Sequence, residues 1–415
     1  MIHIEIPPQV EWILAQLKNH GYEAFAVGGC VRDTLLMRNP EDWDITTSAT
    51  PEQVKEVFGR TIDTGLKHGT VTVLKDGEGY EITTYRIDGE YEDGRHPKTV
   101  VFTPDLKEDL RRRDFTINAM AYSHETGIVD IFGGIEDLSG KIVRCVGDAM
   151  ERFTEDALRI LRAVRFSAQL GFTIEENTCS ALSVIAPNLG RISRERIQVE
   201  IIKILLSPHP EQILMVKETG MAPYISGGFQ AVFESLEQKY GEACSGKIKA
   251  AAELERDKAL RLTVFLHPVG EAAAVKVLRE LKLDNDTIER VGTLVRWLLK
   301  TLATDRPGLR RVMSSMSDQA FDDLLILKAV IFPEEKSQVD EIRVLGESIR
   351  ADGDCIRRSD LAVDGNDLMD IGMKPGKQLG DKLTELFGLV LDRPELNNKK
   401  NLLSAAAENG TETMG

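Results

Sequence analysis

Gly28-Gly29, Arg32, Asp42 and Asp44 form the first group of residues with chemistry to offer. Two glycines between a strand and a helix let backbone N–H groups approach a triphosphate, and a helix N-terminus favours the anion. Arg32 falls one helical turn after Gly29, where it can clamp phosphate oxygens. Asp42 and Asp44, one residue apart on a strand, point to one face, and hard oxygen ligands at that spacing suit Mg2+. Two such ions activate an attacking 3′ hydroxyl and stabilise a pyrophosphate leaving group. Each half alone is weak, because a Gly-Gly pair is often only a tight turn and an Asp-x-Asp is often solvated surface. An aspartate pair about a dozen residues past the glycines is far more specific and points to nucleotidyl transfer. The spacing is not GxGxxG, so a dinucleotide-binding reading fails. Glu81, within Tyr80–Thr84, is the candidate third catalytic carboxylate; the alternative is a strand glutamate facing solvent.

A second group is Arg111-Arg112-Arg113-Asp114-Phe115-Thr116-Ile117-Asn118-Ala119. Three consecutive arginines usually mark a solvated face, but an apolar, structured segment follows directly. Arg113 can reach a triphosphate, and Asp114 is expected to orient neighbours. The third group is EDALRILRAVRF over residues 155–166. Read as one helix, it puts Asp156, Arg159 and Arg162 on a shared face, with Arg165 extending the row. A salt-bridged surface helix is the plain alternative, worth little. The sharper reading is that a carboxylate beside a guanidinium matches the Watson–Crick edges of cytosine and adenine and not those of guanine or uracil.

The elements that would position these groups alternate over the first ~145 residues. Residues 9–19 form an amphipathic helix with Val10, Ile13, Leu14 and Leu17 on one side. Ala24–Val27 is a strand leading into the glycines, and a helix begins near Gly29. Trp43–Thr46 is a second strand. Thr50 caps a helix that Pro51 opens and that runs through Phe58. Residues 70–74 and 80–84 make a hairpin turned at Asp76-Gly77. Asp88–Lys98 is a polar loop. Beyond it the pattern turns helical, over Glu151–Leu170, 178–187 and Ser193–Leu206, with prolines punctuating the rest. The tail past about Ser404 is expected to be disordered.

Composition sets the bounds. At 415 residues with 42% hydrophobic and 29% charged side chains, the protein suits several soluble domains. No apolar run spans a bilayer and the N-terminus lacks a signal-peptide pattern, so a cytoplasmic location is expected. Five scattered cysteines without a CxxC pair argue against zinc or a disulfide framework. The net charge of −15 weighs against a nucleic-acid partner, yet the basic stretches at 107–113 and 159–165 leave room for a basic cleft.

Together the motifs GGCVRDTLLMRNPEDWDIT, RRDFTINA, EDALRILR and RISRERIQVE resemble those of the class II CCA-adding enzymes, tRNA nucleotidyltransferases of the polymerase-β superfamily. The resemblance covers about residues 21–206. It implies an α/β head of the polymerase-β nucleotidyltransferase kind, with a mixed sheet and helices, followed by an all-α neck, body and tail. The expected divisions are a head at 1–145, a neck carrying base-selecting helices at 146–206, a helical body at 207–300 and a tRNA-binding tail at 301–415. It implies addition of C, C and A to the 3′ end of tRNA from CTP and ATP, with two Mg2+ ions. By resemblance Asp42 and Asp44 bind metal. Gly28, Gly29, Arg32, Arg113, Arg162 and Arg165 contact the nucleotide, and Asp156 and Arg159 pair with its base. Met37 departs from the family's usual glycine, which implies a modified helix end. His96 stands where the family often has arginine, in the loop Asp88–Pro97. The tail lysines Lys374, Lys377 and Lys382 are expected to meet the tRNA backbone. The alternatives are an A-adding-only enzyme and a bacterial poly(A) polymerase, although the polar, acidic C-terminus lacks the basic extension of the latter. A decayed RNA-binding relative conflicts with the intact aspartates, and a small-molecule nucleotidyltransferase leaves the helical remainder unexplained. No membrane partner is implied, and a homodimer is left open.

Overall fold

The computed structural model describes residues 3–89 and 100–408. The protein divides into two compact units: Met1–Ser245 with Arg279–Leu283, and Gly246–Leu278 with Asp284–Gly415. Among the described residues no helix is long and apolar enough to cross a membrane.

The first unit opens with α1 (Pro8–Asn19), which buries Val10, Ile13, Leu14 and Leu17 as its periodicity predicts. There follow β1 (Ala24–Val27), α2 (Gly29–Leu35), β2 (Ile45–Thr47), α3 (Pro51–Val57), β3 (Thr61–Gly65), β4 (Thr70–Lys75) and β5 (Glu78–Thr84). Next come β6 (Arg86–Asp88), β7 (Val100–Phe102), α4 (Leu106–Arg111), β8 (Met120–Ser123) and β9 (Gly127–Asp130). Seven strands make one mixed sheet in the order β3-β4-β5-β2-β1-β8-β9, and β6 pairs with β7 apart from it. β2 and β5 run parallel; the other neighbours in the large sheet are antiparallel.

Local chemistry explains these elements. Thr50 and Gln53 form a reciprocal capping box ahead of Pro51, which satisfies two of the orphan donors of a helix start. Asp76 and Gly77 both take positive φ, 54° and 89°, as a two-residue hairpin turn of matching twist demands. Their Lys75↔Glu78 pairing fixes the β4–β5 register. Phe25, Val27, Tyr85, Leu110 and Ala121 form an apolar cluster under the sheet. At Met37 the φ is +56°. Its N–H reaches the Thr34 carbonyl at 3.0 Å and that of Arg38 reaches Asp33 at 2.8 Å. This closes α2 in the manner usually served by glycine, so the modified helix end expected from the sequence is not seen: Met37 takes up the left-handed conformation itself.

Helices then take over: α5 (Gly134–Gly140), α6 (Ala149–Glu155), α7 (Leu158–Leu170), α8 (Glu176–Ile185) and α9 (Arg194–Leu205). In the second unit, helices at Lys258–Leu266, Asn285–Leu298, Arg306–Ser314, Asp318–Ile331 and Lys336–Ala351 surround a core that includes Leu260, Leu294, Leu309, Phe321 and Ile342. A smaller core of Val363, Leu368, Leu386, Val390 and Leu402 gathers the last helices. The expectation of disorder past Ser404 fails as far as Glu408. A helix runs over Lys399–Glu408, because Leu402 and Ala406 are buried. Most of the polar loop, including His96, lies outside the described residues. All five cysteines are free thiols, four of them buried.

Candidate active site

β1 ends at Val27, and the backbone bends at Gly28 with φ +83° and ψ −129°, a shape open to glycine. A Cβ at Gly28 would lie 3.0 Å from Nη1 of Arg113. The glycine therefore gives Arg113 its seat at the mouth of the bend, where Gly29 begins α2.

Asp42 and Asp44 do not lie inside a strand as the sequence reading has it. β2 begins at Ile45, so both aspartates sit on the extended lead-in. That lead-in is still tied to β1, since Val27 donates its N–H to the Asp44 carbonyl at 3.0 Å. Ile45 pairs with Ile82 in the parallel register; one step back sets Asp44 beside Glu81. The three carboxylates feel one another. Crowding by protein raises the pKa of Asp44, with Asp42 adding repulsion and Arg113 opposing it. Glu81 is raised by desolvation first, then by the charges of Asp44 and Asp42. Among the described residues no set of three or more Asp, Glu, His or Cys side chains is arranged to hold a metal ion.

The arginines are built in from behind. Arg32 is buried and donates through Nε and Nη2 to both oxygens of Asp33, at 2.9 and 2.7 Å, and through Nη1 to Asn118 Oδ1 at 2.6 Å. Asn118 in turn donates to Asp114 Oδ1 at 3.0 Å, and Arg162 Nε donates to Asp114 Oδ2 at 2.7 Å. A continuous relay thus links Arg32, Asn118, Asp114 and Arg162. Burial alone would raise Asp114, but Arg162, the Asn118 bond and Arg159 outweigh it and hold the carboxyl well below the usual carboxylate range. Asp114 orients its neighbours, as the sequence suggests. Arg32, Arg162 and Arg165 also share the ring of Phe166, with guanidinium carbons 5.0, 5.5 and 4.4 Å from its centroid. Such contacts are each worth about 0.5–2 kcal/mol.

Sequence reasoning missed Asp109. It is fully buried, accepts from Thr46 Oγ1 at 3.1 Å and from Arg112 Nε at 2.9 Å, and meets Arg113 Nη2 at 3.4 Å. Desolvation opposes its charge, yet Arg112 and Arg113 lower its pKa overall. Its only signal in the sequence is the i,i+3 and i,i+4 spacing to those arginines, which an exposed helix would show equally. Asn118 and Phe166 lay inside the quoted motifs without a role.

The segment expected to select the base departs from the single helix its periodicity suggests. Residues 155–166 are not one helix: α6 stops at Glu155 and α7 starts at Leu158, with Asp156 extended between them at φ −141° and ψ 101°. The physical cause is the aspartate itself, whose Oδ1 accepts from Leu158 N at 3.0 Å and so competes with helix continuation. Asp156 and Arg159 therefore leave a common helix face. Asp156 Oδ2 pairs with Arg196 at 2.6 Å. Arg159 is buried against Glu155 at 2.7 Å and the carbonyls of Arg152 and Arg112, each at 3.0 Å. Arg165 pairs with Glu200 at 3.0 Å. In the second unit Lys382 is paired with Glu385 at 2.7 Å.

A glycine bend, coupled carboxylates on a mixed sheet and arginines held behind them define a nucleotidyltransferase head. Residues 24–144 match the "Poly A polymerase head domain" model, 171–230 the "Probable RNA and SrmB-binding site of polymerase A" and 255–407 the second domain of tRNA nucleotidyltransferases. A CCA-adding enzyme of Enterococcus faecalis is 36% identical over 396 residues, which are 95% of the present sequence and 94% of that protein. One from Limosilactobacillus fermentum is 37% identical over 404 residues, 95% of each. The crystal structure of the Bacillus stearothermophilus CCA-adding enzyme in complex with CTP superposes with a TM-score of 0.81 at 32% identity, covering 98% of the present protein and 99% of that one. The chain belongs to the family of CCA-adding enzymes.

Proposed function

We propose that this protein adds C, C and A to the 3′ end of tRNA, taking CTP and ATP and releasing pyrophosphate. The observation that carries the reading is the gathering of Asp42, Asp44 and Glu81 into one field of negative charge beside Arg113 and the Gly28 bend. In each turnover the terminal 3′ oxygen bonds to the α-phosphorus of the triphosphate, and the bond from that phosphorus to pyrophosphate breaks.

Mutually repelling carboxylates at the surface fit a divalent cation, and family membership points the same way. Asp42 and Asp44 would hold Mg2+, which binds through one or two carboxylates with water and substrate phosphates filling the remaining positions. The bound ions would supply activation of the attacking hydroxyl and charge stabilisation on the leaving group. Glu81 deepens the negative field around the pair. Arg113 and Arg32 neutralise the triphosphate beside Gly28 and Gly29, while Arg162 and Arg165 hold the floor beneath the nucleotide. Asp156 and Arg159 read the base edge. The division into head, neck, body and tail, with tRNA held by the tail, is part of the same proposal.

The test uses three tRNA substrates, ending before CC, before the second C and before A, each offered every triphosphate singly. The expected result is C, C and A in turn, abolished by Asp44→Ala or by chelation while tRNA binding persists. Extension of the last substrate alone would mean an enzyme that adds only A, and long A tails would mean a poly(A) polymerase. Normal incorporation by Asp44→Ala would remove the metal assignment.

A further inference from the structure

α9 packs along α7 and carries two charged residues one turn apart, Arg196 and Glu200. At that spacing opposite charges on a helix usually pair with each other. Here both reach across instead: Arg196 to Asp156 at 2.6 Å and Glu200 to Arg165 at 3.0 Å. The side chains of Arg196 and Asp156 are only 21% and 15% exposed, so the pair is shielded and more than a surface ornament.

We propose that Arg196 is a positioning residue for base selection. It holds the Asp156 carboxyl in one orientation, as an acceptor only. The inference rests on the reading that Asp156 faces the incoming base. A guanidinium has donors and no acceptor, so the oxygen that meets it must accept. The other oxygen accepts from Leu158 N at 3.0 Å. With a donor on each oxygen the carboxyl cannot rotate, and its remaining lone pairs can only receive hydrogen. Cytosine and adenine both present an amino donor on the Watson–Crick edge. Uracil and guanine present a carbonyl oxygen at the matching position, which meets the carboxylate as acceptor against acceptor. Arg196 thus supports the feature that C and A share and that U and G lack. Its partner on the same helix, Glu200, fixes Arg165 under the nucleotide, so α9 braces the reader at two points.

The experiment measures kcat/KM for CTP and for UTP on tRNA ending before CC, for the wild type, Arg196→Met, Arg196→Lys and Asp156→Ala. Val199→Ala, an exposed position on α9, serves as the helix control. The ratio of UTP to CTP use is expected to rise roughly 10- to 100-fold in Arg196→Met, the range of a lost charge-assisted hydrogen bond. Arg196→Lys, which keeps the charge without the fork, should fall between it and the wild type, and Val199→Ala should match the wild type. A purely structural Arg196 would depress use of CTP and UTP alike and leave the ratio unchanged. Because the ratio is internal to one preparation, partial unfolding does not mimic the effect; if Arg196→Met fails to fold, Arg196→Lys decides. An unchanged ratio in the Arg196 variants with a degraded one in Asp156→Ala would overturn this inference alone. An unchanged ratio in Asp156→Ala would overturn the base-facing reading and this inference with it.

Discussion

Asp114→Asn tests the relay that holds two of the proposed nucleotide-binding arginines. In the wild type each carboxyl oxygen faces donors: Phe115 N at 2.8 Å and Asn118 Nδ2 at 3.0 Å on Oδ1, and Arg162 Nε at 2.7 Å on Oδ2. An amide keeps one oxygen and turns its NH2 on donors at the other end, whichever way it is placed. Removing one partner of a buried pair costs about 3–5 kcal/mol. The Arg162 side chain is 33% exposed, so water recovers part of that, and about 2–3 kcal/mol is expected. For a unit of this size the loss lowers its unfolding midpoint by roughly 5–10 °C. Arg162→Met in the same molecule should restore about 1–2 kcal/mol, since the arginine is then no longer left unpaired. Activity should fall as well, because the amide leaves either Arg162 or the Asn118 that orients Arg32 without its acceptor; kcat/KM is expected to drop roughly 100-fold. The pH dependence has a definite sign. The folded pKa of Asp114 lies below its ordinary value of 3.8, so the stabilisation is complete above that value and is lost as pH falls below it. The gap between wild type and variant, measured by thermal unfolding, should therefore narrow in acid. A midpoint unchanged to within about 1 °C at neutral pH would refute the reasoning.

Gly28→Ala should lose roughly 10- to 100-fold in kcat/KM, because its Cβ meets Arg113 at 3.0 Å and a positive φ adds about 1–3 kcal/mol of strain; wild-type kinetics would sink this. Met37→Gly should gain about 0.5–1 kcal/mol and a degree or more in unfolding midpoint, since Met37 is 94% exposed at φ +56° and the strain relieved exceeds the entropy glycine adds to the unfolded chain. Incorporation should be unaffected, and an unchanged or lower midpoint would count against the strain.

Much of the head was legible because its signals are local. The Asp76-Gly77 turn, the Thr50–Gln53 cap and the four apolar positions of α1 each depend on neighbours in sequence. Gly28, Asp42, Asp44 and Glu81 could be singled out by type and spacing for the same reason. What escaped were partners chosen across long separations. Asp109 is legible only once Thr46 is brought against it, and Asn118 only once Arg32 is. The helix break at Asp156 was hidden by apolar periodicity, which continues through it while the side chain diverts the Leu158 N–H. Arg196 and Glu200 offered each other as partners in sequence, and packing of α9 on α7 gave them different ones.

That break at Asp156 carries a lesson for anyone altering nucleotide choice. The aspartate that would read the base is also the stopper between two helices. An alanine there removes a hydrogen-bond acceptor and leaves the Leu158 N–H without its side-chain partner. Asparagine retains an oxygen for the Leu158 amide while discarding the formal charge. Set side by side, the two replacements would separate the grammar of the backbone from the vocabulary of the site.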